Sequence, residues 1–280
     1  MAKIVGGVTT SHIPAIGNAI TKGLQEEPYW KPFFDGYVKV REWLDKIQPD
    51  IAVVVYNDHG LNFFLDAIPT FAMGAAAEYH NADEGWGLST LRSFKGNPEF
   101  SWHLIESLVA QEFDMTMCQE MLVDHGFIVP MQAMWGDRKE WPVTAVPLAV
   151  NVVQHPLPTA ARCYKLGKAL RKAIESYPED TKVVIFGTGG MSHQLQGERA
   201  GFINKKFDLM FMDKLVNDPE ALTRISSTEF MEQSGTEGIE MIMWLVMRGA
   251  LTDKVNQVHS HYHIPVSNTA AGILVLENAA

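Results

Sequence analysis

Three apolar, strand-like runs in this chain each lead into a histidine. Lys3–Val8 leads into Thr9-Thr10-Ser11-His12, Ile51–Tyr56 into Asn57-Asp58-His59, and Val183–Phe186 into Gly187-Thr188-Gly189-Gly190-Met191-Ser192-His193. Less directly, Asp114–Met117 precedes Asp124-His125. Helical stretches separate these runs. Tyr37–Lys46 ends before Gln48-Pro49-Asp50, and Asn97-Pro98 supplies an N-cap and a first-turn proline for a helix to about Glu112. From Thr159, the apolar residues Cys163, Leu166, Leu170, Ala173, Ile174 and Tyr177 recur at helical spacing until Pro178. Strand, helix, strand in this rhythm implies parallel pairing with helices on the sheet faces. The expected fold is α/β, a single domain over residues 1–280 with a central mixed or mostly parallel sheet flanked by helices. The carboxyl ends of parallel strands face one crevice, where ligands bind. Imidazoles converging there from distant parts of the chain imply a metal, acid–base chemistry, or both.

Composition narrows the partners. With 46% hydrophobic and 20% charged residues the chain buries a full core, and a net charge of -10 argues against nucleic acid, whose phosphates need clustered cations. Arg162, Lys165, Lys168, Arg171 and Lys172 do cluster, but as the wet face of one helix. Cys118 and Cys163 have no C-x-x-C partners, so they read as packing residues. No apolar run approaches the roughly 20 residues that span a bilayer, so no membrane partner is expected. Met-Ala-Lys-Ile-Val reads as a strand entering directly, without a signal peptide. The expectation is a cytoplasmic, reducing location where ferrous iron persists.

One carboxylate stands out. A helix is expected to start near Thr236 as its cap and to end at Gly249, and from Ile239 to Met247 its only charge is Glu240. A helix apolar on every face is a buried helix. A lone carboxylate there costs several kcal/mol unless a cation or hydrogen-bond donors meet it. Backbone donors or an arginine would serve; with several histidines unplaced, a metal cation serves better. Removing Glu240 is expected to release the metal and also the burden of a buried charge. Two histidines and a carboxylate suit non-haem ferrous oxygenases, because they leave positions open for substrate and O2, but zinc hydrolases use the same donors.

The glycines before His193 let the backbone turn sharply and approach a ligand. There is no Gly-Lys-Ser/Thr and no G-x-G-x-x-G, so a phosphate cradle is disfavoured. His80, His103 and His155 read as ordinary loop or helix residues. His259, His261 and His263 alternate, so a strand would place them on one face, as metal ligands or as an exposed edge. Residues 76–98 read as a long loop without apolar period and Glu26–Phe34 as an aromatic, proline-punctuated stretch; such segments often bind, and Tyr29–Phe34 offers apolar surface that a soluble monomer seldom leaves bare.

Ser11-His12-Ile13-Pro14, Tyr56-Asn57-Asp58-His59, Asp124-His125-Gly126, Gly187 to Gly197 and Ser234-Gly235-Thr236-Glu237-Gly238-Ile239-Glu240 occur in an order that resembles the LigB-type extradiol ring-cleaving dioxygenases. The resemblance covers essentially the whole chain and is strongest to catalytic β subunits that open protocatechuate at its 4,5 bond. It implies that Fe(II) is held by His12, His59 and Glu240, with His193 as the active-site base and His125 as an acid or substrate contact. The implied reaction consumes O2 and gives 4-carboxy-2-hydroxymuconate-6-semialdehyde. Gallate or another carboxylated catechol is the alternative substrate, and a metal-dependent hydrolase the rival chemistry. Ser267 and Asn268, short polar residues after Pro265, are the expected contacts for the ring carboxylate. Related gallate enzymes carry a fused lid region, so a separate small, mostly helical α subunit is expected to cap the site in an α2β2 assembly.

Overall fold

In the computed structural model of the chain, residues 1–85, 92–136, 138–266 and 268–279 are described. The strands are β1 (Lys3–Thr10), β2 (Ile51–Tyr56), β3 (Phe71–Gly74), β4 (Glu78–Asn81), β5 (Phe94–Lys95) and β6 (Thr116–Cys118). They continue with β7 (Leu122–Val123), β8 (Thr144–Val150), β9 (Lys182–Thr188), β10 (Val255–Val266) and β11 (Thr269–Asn278). The first helices are α1 (Pro14–Thr21), α2 (Lys31–Ile47), α3 (Pro98–Ala110), α4 (His125–Trp135) and α5 (Ala160–Glu175). After them come α6 (Lys205–Asn217), α7 (Pro219–Leu222), α8 (Ser227–Ser234) and α9 (Ile242–Ala250), with a 3-10 turn at Glu237–Met241 leading into α9.

Eight strands form a mixed sheet in the order β10-β11-β1-β9-β2-β8-β3-β6. Its centre, β1-β9-β2-β8, is wholly parallel, while β11 joins β1 and β3 joins β8 antiparallel. The expected α/β architecture is the observed one. All six residues of β2 are buried, as a strand covered on both faces requires. Val53 and Val55 pack into one layer with α5 and α9, and Ala52, Val54 and Tyr56 into the other with α2 and α4. Where α5 crosses α9, a Cβ on Gly167 would stand 2.2 Å from the Val246 carbonyl, so glycine permits that close approach. Among the described residues no helix is long and apolar enough to cross a membrane.

Three expectations are corrected. The region 76–98 is not all loop: β4 and β5 join β7 in a small second sheet, with Tyr79 and Phe94 fully buried. The Phe94 and Trp141 rings stack there, which a search for period-2 or period-3.6 patterns does not detect. The second half of the aromatic segment is the start of α2, whose range begins six residues before Tyr37 and which buries Phe33 and Phe34 at 0% and 6% exposure, while Tyr29, before the helix, is 57% exposed. Those two rings therefore pack inside the chain and offer no bare surface. Thr236 caps nothing, because its backbone is already helical and its hydroxyl donates to Glu237; Glu240 sits on the 3-10 turn rather than in an α-helix. As expected, α9 is buried throughout; just past Met247 it carries Arg248, whose guanidinium donates to the carbonyls of Leu215, Thr252 and Asp253. Arg248 thus does not compensate Glu240.

His259, His261 and His263 tie β10 to α2. The His259 Nε2–H donates to the Gly36 carbonyl at 2.7 Å, and the His261 ring occupies the space a Cβ on Gly36 would fill. None of the three belongs to a metal-capable cluster among the described residues. Both cysteines are free and buried, as packing residues are.

Candidate metal centre

The parallel strands β1, β2 and β9 point their carboxyl ends the same way, and His12, His59 and His193 lie two, three and five residues beyond them. His125 opens α4 instead, where Asp124 caps the helix by accepting the Gly126 N–H. A cavity of about 420 Å3 is lined by His12, His59, His125, His193 and Glu240 together with Ile13, Pro14 and Leu195. A second cavity of about 400 Å3 shares His59, Glu237 and Glu240 and has a mainly apolar wall that includes Val152, Leu157, Met231 and Ile239.

One nitrogen each of His12, His59 and His125 lies within 4.8 Å of the others. Glu240 joins on the His12 side, its Oε2 3.3 Å from His12 Nε2 and 3.8 Å from His193 Nε2. The Gly190 N–H donates to the same oxygen at 2.7 Å. A side chain on Gly189, at φ +127, would place its Cβ 2.8 Å from that of Glu240, so the glycine lets this loop close over the carboxylate. Distance alone does not separate His125 from the three expected ligands.

Neighbours fix the ring tautomers. Thr188 Oγ1 donates to the Gly126 carbonyl at 3.4 Å and so accepts from His12 Nδ1–H at 3.0 Å. That leaves a lone pair on His12 Nε2, which is buried without a hydrogen-bond partner although it stands near a carboxylate oxygen. Two electron-rich atoms facing one another in a buried site repel unless a cation joins them, so these residues fit a metal. Burial holds His12 below its ordinary pKa, which Glu240 only partly offsets, and a neutral imidazole is the ligating form.

His59 Nδ1–H donates to Asp124 Oδ2 at 3.0 Å, and the His59 backbone N–H donates to the same atom at 2.7 Å. This carboxylate–histidine pair orients a ring whose Nε2 meets the Asn57 amide at 3.0 Å. Burial lowers the His59 pKa, yet Asp124 outweighs burial and raises it to about 9. Burial likewise works against ionised Asp124, and His59 overcomes it to hold the carboxyl at about 2. Glu240 follows the same pattern: burial would raise its pKa, and His12, then His193 and His59, hold it far below the ordinary value. His125 is held by Glu84, which accepts from Nδ1–H at 2.6 Å and from the backbone N–H at 2.7 Å.

The sequence reading missed Asp124, Thr188, Asn57 and Glu84 as orienting groups. Asn57 stands two residues from its histidine, a usable signal, whereas Asp124 is 65 residues from His59. Thr188 is 176 residues from His12 and Glu84 41 residues from His125, and no local pattern marks either. Asn268 is exposed with φ +62 and is not among the residues lining the cavity, although its neighbour Thr269 is. Ser267 lies outside the described residues.

An open α/β sheet that gathers imidazoles and a carboxylate beyond its parallel strand ends defines a class of metal-site proteins. Within it, residues 6–272 match the family described as the catalytic LigB subunit of aromatic ring-opening dioxygenase, and the chain belongs to that family. It is 50% identical over 197 residues to gallate dioxygenase of Pseudomonas putida, a match covering 70% of this chain and 58% of that protein. It is 25% identical over 256 residues to the 2,3-dihydroxyphenylpropionate/2,3-dihydroxicinnamic acid 1,2-dioxygenase of Comamonas testosteroni, covering 75% and 78%. An uncharacterized protein of Escherichia coli K12 shares the fold, with a TM-score of 0.60 at 14% identity over 98% of this chain and 100% of that one.

Proposed function

We propose that the chain is an extradiol dioxygenase that uses Fe(II) and O2 to open a carboxylated catechol. Protocatechuate is the first candidate substrate, giving 4-carboxy-2-hydroxymuconate-6-semialdehyde, and gallate the second. The observation that carries the proposal is the meeting of His12, His59, His125, His193 and Glu240 in one cavity. Half-identity to a gallate dioxygenase supports the chemistry and keeps gallate in contention. His12, His59 and Glu240 would hold the iron. When bound, it supplies Lewis acidity and open positions for the diol and O2. His193 Nδ1–H donates to the Met191 carbonyl at 2.8 Å, so its Nε2 is free to take a proton from a diol hydroxyl. His125, its Nδ1 held by Glu84, would act through Nε2 as an acid or substrate contact. Ser267 and Asn268 are proposed to meet the ring carboxylate. Ile13, Pro14 and Leu195 give the cavity an apolar wall beside the ligand set.

Anaerobic purification, metal analysis and oxygen-electrode traces over a catechol panel test this. The expected result is O2 uptake with Fe(II) and none with Zn(II), fastest on protocatechuate. Zn(II)-supported hydrolysis without O2 uptake would replace the dioxygenase reading, and faster turnover of gallate would reassign the substrate.

A small helical α subunit, in an α2β2 assembly, is the proposed cover. Phe33 and Phe34 do not support it, since they are buried, but other residues do. Leu195 at the cavity is 56% exposed, and Phe64 and Leu65, in the loop after His59, are 61% and 69% exposed. A closed site strengthens its electrostatics and limits side reactions. Ring cleavage by this chain alone is expected to be slow and to rise when the small subunit is added. Full activity from a monodisperse preparation of this chain, unchanged by that addition, would remove the partner from the scheme.

A further inference from the structure

We infer that Asp208, outside the cavity, is a positioning residue that holds His193 in its working place by clamping Ser192. The inference rests on His193 acting as the proposed base.

The five residues from Gly189 to His193 anchor every backbone N–H on a different part of the fold. Gly189 donates to the Thr10 carbonyl at 3.1 Å, Gly190 to Glu240, Met191 to the Ala270 carbonyl at 2.9 Å, and His193 to the Ser234 carbonyl at 2.8 Å. Ser192 donates instead to Asp208 Oδ1 at 2.9 Å. Apart from Glu240 itself, Asp208 is the one side chain among these five anchors. Its second oxygen accepts from Ser192 Oγ at 2.7 Å and from the Tyr262 hydroxyl at 2.8 Å. Ser192 Oγ in turn accepts the Asn204 N–H at 2.9 Å, where α6 begins.

Asp208 is fully buried, and these three donors are neutral. A buried carboxylate without a contacting cation is an expensive way to hold a loop. Burial pushes its carboxyl above the ordinary value, with Ser192 and Tyr262 offsetting that only in part. A serine or asparagine presents one acceptor oxygen; only a carboxylate offers two, one to the backbone N–H and the other to both hydroxyls at once. The clamp grips the residue before His193, while the His193 Nδ1 contact to Met191 reaches back across it. Loss of the clamp therefore frees the ring and leaves the iron ligands in place. Displacement of a reacting group by about 1 Å can cost about 100-fold in rate.

The test uses the iron-loaded enzyme with Asp208→Asn, together with Ser192→Ala and Tyr262→Phe, which each remove one contact and carry the test if Asp208→Asn does not fold. In Asp208→Asn we expect kcat for protocatechuate to fall about 100-fold, with KM within about twofold of the parent. Iron content should be unchanged, and the melting temperature unchanged or raised. A crystal structure of the variant should show His193 Nδ1 released from the Met191 carbonyl. Folded variants with His193 in place and kcat unchanged would overturn the inference. So would a parallel fall in kcat, iron content and melting temperature, which marks a general structural role. His193→Ala separates the two ideas. If it retains turnover while Asp208→Asn displaces the ring, the base assignment fails and the clamp stands.

Discussion

Glu240→Ala is expected to strip the protein of its metal and with it essentially all ring cleavage. Metal Lewis acidity contributes several kcal/mol to such reactions, and at about 1.4 kcal/mol per decade that is a loss of about 1,000-fold or more. The buried Glu240 Oε2, 3.3 Å from the lone pair of His12 Nε2, motivates the expectation. His125→Ala is the necessary companion, because the three histidines are mutually close. If His125→Ala loses the metal and Glu240→Ala keeps it, the site is a three-histidine site and the ligand assignment is wrong. Removal of Glu240 is no longer expected to stabilise the metal-free protein. Glu240→Ala leaves the Gly190 N–H without its acceptor, a defect of about 1–3 kcal/mol. Thermal melts of the two metal-free proteins at neutral pH should place the variant lower.

His193→Ala is expected to keep iron and bind the catechol but to lose about 100- to 10,000-fold in kcat, the range of a general base. The ring is 5% exposed and lies 3.8 Å from Glu240, near enough to reach a substrate bound beside the metal. Its Nδ1 is already committed to the Met191 carbonyl, which leaves Nε2 as the proton acceptor. Metal content and substrate affinity, measured on the same preparation as turnover, decide the role. Loss of iron in step with activity would make His193 a ligand.

Strand ends were legible because hydrophobic runs followed by turn residues are local signals, and the parallel centre follows from helices between them. β4 and β5 were not, since each has at most four residues and owes its burial to the stacked Phe94–Trp141 pair and to β7. The start of α2 was missed because prolines at 28 and 32 read as loop punctuation, whereas Pro32 occupies the first turn, where its missing N–H costs nothing.

The sequence by itself determined the α/β class, the crevice at the carboxyl ends of β1, β2 and β9, and the candidacy of His12, His59, His193 and Glu240. Each is written in a run of neighbouring residues. Only the tertiary structure decided that His125 sits as close as the expected ligands, that Arg248 is spent on carbonyls, and that Thr188, Asp124 and Glu84 set the rings. It also decided that Asp208 grips the His193 loop from behind. Those relations depend on distances between residues tens to hundreds of positions apart. Chain packing sets such distances, and no local period encodes them.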